Sequence, residues 1–168
     1  MKKLVRAALL LGFAAVCVPC ASRATTVTTT FNVTASINTK CTIAAADLIF
    51  GVYDPLVTNA AVPLDVSSTV TVACTKGTAA TVGLDAGQNS GSAVGTTRAM
   101  AGGGAFLSYE IYKDAAHTTV WGNSGAALVA YTAASKAPAT LTDYGRIPAG
   151  QDQPVAAYAD KVTASVNF

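Results

Sequence analysis

The 168-residue chain has one histidine, one tryptophan, two methionines and only 12% charged residues. A lone His117 would need a serine nucleophile and an acid beside it for hydrolytic catalysis. The neighbouring "DAAHTTVW" supplies Asp114, but there is no G-x-S-x-G turn. Carboxylates are scattered singly, and Asp143, Asp152 and Asp160 lie among turn residues, where side-chain capping is their default role. "GGG" at 102–104 lacks the lysine and the strand-to-helix setting of a phosphate loop. An enzyme is therefore not expected, and neither is a small-molecule cofactor. No long apolar run follows the first two dozen residues, so the later chain has no candidate membrane anchor.

What the N-terminus does have is a targeting pattern. Lys2, Lys3 and Arg6 precede the apolar run Ala7–Val18, and "CASRA" offers small residues at Ser22 and Ala24 for a cut after Ala24. Residues 1–24 are thus expected to be a signal peptide, leaving a mature domain of 144 residues, Thr25–Phe168. Cys17 and Cys20 lack an aliphatic residue three positions upstream, so lipoprotein processing is not expected. Four of the 11 basic residues leave with the leader, and the mature chain carries seven basic against nine acidic residues. Its net charge of −2 gives no electrostatic footprint for nucleic acid.

Two cysteines remain, Cys41 and Cys74. In an exported chain an even pair reads as a disulfide. The alternative, a metal site, would have two thiols and a single histidine, too few ligands to close a zinc shell.

Strand patterns dominate the rest. "VSSTVTVAC" (66–74), "TAATVGL" (78–84), "FLSYEIY" (106–112) and "KVTASVNF" (161–168) alternate at period two. Shorter candidates are 48–50, 97–100, 127–131 and 139–146. Lys76-Gly77 reads as a tight hairpin, and Gly102–Gly104 as a second turn. Helical character is confined to a possible short stretch at 44–47. Short strands at this spacing with no helices between them predict an antiparallel β-sandwich. Tyr109, Tyr112, Trp121, Tyr131, Tyr144 and Tyr158 would either line a sugar-binding face or pack within and between the sheets.

The first mature residues, "TTVTTTFNVTASIN" (25–38), hold no turn residue. Val27, Thr29, Phe31, Val33, Ala35 and Ile37 share one face, with Thr28, Thr30, Asn32, Thr34, Ser36 and Asn38 opposite. Burying the anchors Val27, Phe31, Val33 and Ile37 yields roughly 1.5–3 kcal/mol each, and ladder hydrogen bonds add about 0.5–1.5 kcal/mol apiece. Ordering the segment costs about 1–2 kcal/mol per residue. The terms are of similar size, so the strand needs a groove already formed to receive it.

"CTIAAADLIFGVYDPL" (41–56), "STVTVACTKG" (68–77), "RAM" (98–100), "LSYEIYKDAAHTTVWG" (107–122), "YGRIPAGQ" (144–151) and "YADKVTASVNF" (158–168) follow one another in an order that resembles the spore coat protein U domain family. That family includes subunits of Csu-type archaic chaperone–usher pili. The resemblance covers essentially all of 25–168 and implies an immunoglobulin-like sandwich lacking its last strand. It implies a surface pilus subunit, active in adhesion and biofilm formation, that is exported to the periplasm and then polymerised at the cell surface. Its partners would be a periplasmic chaperone, an outer-membrane usher, and identical or related subunits. Residues 25–38 would be the donor strand and 39–168 the sandwich domain. The final strand, with Val162, Ala164, Val166 and Phe168 on one face, would pair with the chaperone. A coat protein exported by the same route, or a secreted carbohydrate-binding module, are the alternatives. The sequence leaves open whether 25–38 pairs in trans or folds back in cis.

Overall fold

The computed structural model describes residues 22–92 and 95–168; most of the expected signal peptide, residues 1–21, lies outside them. The described residues fall into two units, residues 22–35 and a compact body, Ser36–Phe168. Every residue from 22 to 40 is exposed and none belongs to a strand.

The body is built from β1 (Cys41–Ala45), β2 (Leu64–Cys74), β3 (Ala79–Leu84), β4 (Arg98–Gly102), β5 (Ala105–Tyr112), β6 (Val129–Thr132), β7 (Ala139–Ile147) and β8 (Ala164–Asn167), with one 3-10 turn at Gly125–Ala127. One sheet has the order β1-β2-β7-β5-β4 and the other β6-β3-β8. All described pairings are antiparallel. This is the expected immunoglobulin-like sandwich. Period-two alternation explains why: Val70, Val72 and Cys74 on β2 turn inward with Val82 and Leu84 on β3, and Leu107, Tyr109 and Ile111 on β5 meet them in one core. Trp121, 1% exposed, fills the middle and donates its indole N–H to the Val82 carbonyl at 3.0 Å.

The structure changes three local expectations. Residues 44–47 contain no helix: Cys41–Ala45 is a strand in register with β2, Cys41 opposite Cys74 and Ala45 opposite Val70. Lys76-Gly77 is a turn but not a hairpin, because β2 and β3 belong to different sheets; the chain crosses the sandwich there, and Gly77 N–H bonds the Ala133 carbonyl at 2.8 Å. Residues 48–50 lie outside any strand, since no strand runs beside them to form a ladder.

That missing neighbour defines the architecture. β1 and β8 are edge strands of their sheets. The chain beyond β1 (46–63) and before β8 (148–163) joins no ladder, apart from the isolated bridge Ala101–Ala159. The sandwich is one strand short on this flank.

Candidate functional site: an open groove on the incomplete flank

A groove of ≈ 1030 Å³ runs along the incomplete flank, between Ala45–Tyr53 on one side and Gln153–Val162 on the other. Its floor is the core itself: Val70, Leu84, Leu107, Ile111 and Ile147 face it directly. A sandwich that leaves core side chains in an open channel lacks part of its hydrophobic burial.

Each wall is held by specific contacts. On the first, Leu48 and Phe50 lie across Gly145 of β7, where any Cβ would meet Leu48 Cδ2 at 2.6 Å and Phe50 Cζ at 2.8 Å. Phe50 meets the Tyr109 ring edge-on at 5.9 Å. Tyr53 donates its hydroxyl to the Pro148 carbonyl at 2.8 Å and accepts the Gln151 N–H at 3.0 Å. Asp54 accepts the N–H groups of Leu56 and Val57, which hold its carboxyl below the usual range.

The second wall is stitched to β4 by paired Ala101–Ala159 backbone hydrogen bonds of 2.9 and 3.1 Å. Asp160 accepts from the Tyr109 hydroxyl at 2.7 Å, the Gln88 N–H at 2.9 Å and the Asn89 amide at 3.0 Å. Burial and this carboxylate push the Tyr109 phenol far above its ordinary value. Gly102 is a close-approach position, because a Cβ there would sit 2.2 Å from the Ala157 carbonyl oxygen. Gln151 finishes the rim by pairing both its amide atoms with the backbone of Ser108, at 2.8 and 2.9 Å. Nothing in the sequence marks Gln151, Gly102 or Gly145 as groove builders; only the fold brings their partners to them.

Asp143 departs from its expected turn role. It sits on β7, 5% exposed, on the groove floor, and its Oδ1 has no hydrogen-bond partner. Burial pushes its carboxyl up from the ordinary value. The folded state then binds the proton more tightly than the unfolded chain. Stability from this group is present below the unfolded carboxyl value, about pH 4, and is lost as pH rises through the folded value. Asp143→Asn is expected to remove that loss, so its urea midpoint gains on the parent as the pH rises above about 4.

The remaining candidates fall elsewhere. Cys41 and Cys74 are joined in a disulfide, so neither offers a free thiolate to a metal. His117 lies in the loop after β5, its side chain 8% exposed and 3.8 Å from Asp65, edge-on to Tyr112 and Tyr144. Its neighbour in sequence, Asp114, is occupied by the N–H groups of Thr118 and Thr119. Arg146 holds the Asp65 carboxyl below its usual range through two 2.7 Å hydrogen bonds. Of the six candidate aromatics, Tyr109 and Trp121 are core and Tyr131 and Tyr158 pack against it, while Tyr112 and Tyr144 are cross-strand partners on either side of His117.

Along the described N-terminal residues, Val27, Phe31, Val33 and Ile37 are 91, 82, 83 and 88% exposed. In β8, Ala164 pairs with Leu84 and Val166 with Val82 of β3; Val162 lines the groove, and Phe168 at the terminus is exposed.

The described residues thus form an antiparallel sandwich with an open core channel and a cross-strand disulfide. Residues 27–165 match the family model described as Spore Coat Protein U domain, and the chain belongs to that family. It is 32% identical over 160 residues to Protein U of Myxococcus xanthus, covering 88% of each chain. Among solved structures it resembles, with a TM-score of 0.56 and 26% identity, a chain in the CsuC–CsuE chaperone–tip adhesion subunit pre-assembly complex from archaic chaperone–usher Csu pili of Acinetobacter baumannii. The match covers 79% of this chain and 40% of that one.

Proposed function

We propose that the chain is a structural, non-catalytic subunit of a surface pilus, assembled by a periplasmic chaperone and an outer-membrane usher through donor-strand complementation. The observation that carries this reading is the groove: a channel floored by core side chains on the flank where both sheets end. Residues 1–24 direct export to the periplasm, 39–168 form the groove-bearing domain, and 25–38 are the donor strand. Val27, Phe31, Val33 and Ile37 of one copy fill the groove of the next, and the finished fibre serves adhesion and biofilm formation. The edge position of β8 supports Val162, Ala164, Val166 and Phe168 as the strand on which the chaperone docks before assembly, since its outer backbone edge faces the incomplete flank.

Deletion of residues 25–37 is expected to abolish surface polymer and the heat-sensitive ladder of multimers on gels, while the exported, disulfide-bonded monomer persists. Ladders that survive the deletion would refute the donor-strand role.

The likeness to Protein U of Myxococcus xanthus favours a second reading, a coat protein exported by the same route. Both readings use the same groove. Immunogold labelling separates them: thin fibres on growing cells for a pilus, label confined to a spore or cyst envelope for a coat.

A further inference from the structure

The groove floor is hydrocarbon except at one end. There Asp143 presents its buried, unpartnered Oδ1. Its position along the channel is fixed by Ser68, its cross-strand partner on β2, whose hydroxyl lies 3.1 Å from the carbonyls of both Ala46 and Asp47. Asp143 therefore lies at the Ala46–Asp47 end. Polar groups at the opposite end are already paired, Tyr53 with Pro148 and Gln151 with Ser108.

The inward face of the donor segment shows the same interruption. Val27, Phe31, Val33, Ala35 and Ile37 are apolar, and Thr29 is the one polar residue among them. We propose that Thr29 of an incoming second copy seats on Asp143 and that this hydroxyl–carboxyl contact sets the register of strand insertion; the proposal rests on the donor-strand reading above. A threonine hydroxyl both donates and accepts, so it satisfies Asp143 in either protonation state.

The lengths agree with one direction only. A donor strand running parallel to Leu48–Tyr53, with Thr29 at Asp143, carries Phe31, Val33 and Ile37 over the apolar floor toward Tyr53. Thr29 to Ile37 spans about 26 Å at ~3.3 Å per residue, one or two residues more than the run from Ala46–Asp47, beside Asp143, to Tyr53, so Ile37 reaches the Tyr53 end. The reverse direction would push three of the four anchors out past Ala45. A two-residue slip puts Val27 or Phe31 against the carboxyl and leaves two buried polar groups unpaired, and a one-residue slip turns the apolar face outward. Asp143 thus discriminates between registers that apolar contact alone would tolerate.

The test uses full-length polymers sheared from cells, with the rate of dissociation to monomer followed in detergent at fixed temperature. Thr29→Val is expected to dissociate about tenfold faster, because it buries an unpaired carboxyl, whereas Thr29→Ser stays within about threefold of the parent. Combining Thr29→Val with Asp143→Val is expected to recover most of the loss, since removing both partners leaves no orphan. If Ser and Val at position 29 behave alike, or the Thr29 and Asp143 effects simply multiply, the register contact is overturned. The Ser–Val comparison does not depend on Asp143→Val folding, because residue 29 is exposed in the subunit. Phe31→Asp separates the two levels of the argument. Polymer that survives it overturns the donor-strand reading itself; polymer lost with Phe31→Asp but indifferent to Thr29 overturns the register contact alone.

Discussion

Arg98→Ala is expected to destabilise the domain by about 3–5 kcal/mol. Arg98 is 1% exposed and Glu110 4%, and their side chains form a buried ion pair. Removing one member of such a pair leaves an uncompensated charge in the core. The Arg98 guanidinium also reaches across the sandwich: Nε and Nη2 donate to the Asp85 carbonyl at 2.9 and 2.6 Å, and Nη2 reaches the Leu84 and Trp121 carbonyls at 3.1 and 2.8 Å. Glu110 in turn accepts the Thr97 and Ile111 N–H groups. Those backbone partners set this site apart from a simple ion pair. Replacing both residues by apolar ones should not restore stability, because the Leu84, Asp85 and Trp121 carbonyls would stay buried without their donor. Arg98→Lys should recover only part of the loss, since an ammonium cannot reproduce the planar fork. Arg146→Ala removes an exposed pair with Asp65 and should cost no more than about 1 kcal/mol. Urea unfolding of the four variants at one pH gives the comparison.

Loss of the disulfide is the second large effect. Cys41 and Cys74 are 33 residues apart in sequence and directly opposed in the β1–β2 ladder. Closing a loop of that length should contribute about 2–4 kcal/mol, chiefly by restricting the unfolded chain. The Cys41→Ser, Cys74→Ser double variant is expected to unfold at correspondingly lower urea, and reducing agent should bring the parent down to the same midpoint without moving the variant. β1 has only five residues and one partner strand, so its edge should lose protection from amide hydrogen exchange before the rest of the sheet.

Strands that alternate are legible in the sequence. β2, β3, β5 and β7 fall within two residues of their sequence signals, because each turns one face to the core and the other away from it. The cross-strand cysteines were legible as a pair. β1 is not legible: "CTIAA" alternates too weakly, and the small residues after it suit a helix turn as well as a strand. Lys76-Gly77 reads as a hairpin because a turn sequence fixes local direction, while the choice of sheet is made by distant partners. The groove left a trace only in the resemblance of the ordered blocks. Its walls depend on Gly102 and Gly145 meeting Ala157, Leu48 and Phe50, contacts across tens of residues that no local pattern encodes. Asp143 reads as a turn residue for the same reason; its burial is set by neighbours on β2 and beyond β1.

The entry to β1 has a mechanical consequence. Immediately before the strand, Lys40 N–H bonds the Thr75 hydroxyl at 3.1 Å, Thr75 N–H bonds the Lys40 carbonyl at 2.9 Å, and the Thr75 hydroxyl reaches the Asn38 carbonyl at 3.2 Å. The next residue, Cys41, is covalently tied to β2. Tension on the chain ahead of Asn38 therefore meets this clamp first, then a covalent bond that hands the load to an eleven-residue strand held on both sides in its sheet. The short edge strand is spared being peeled away one hydrogen bond at a time. A molecule wired in this way resists pulling at its N-terminal end by shear across β2, and a reductant would convert that shear into unzipping.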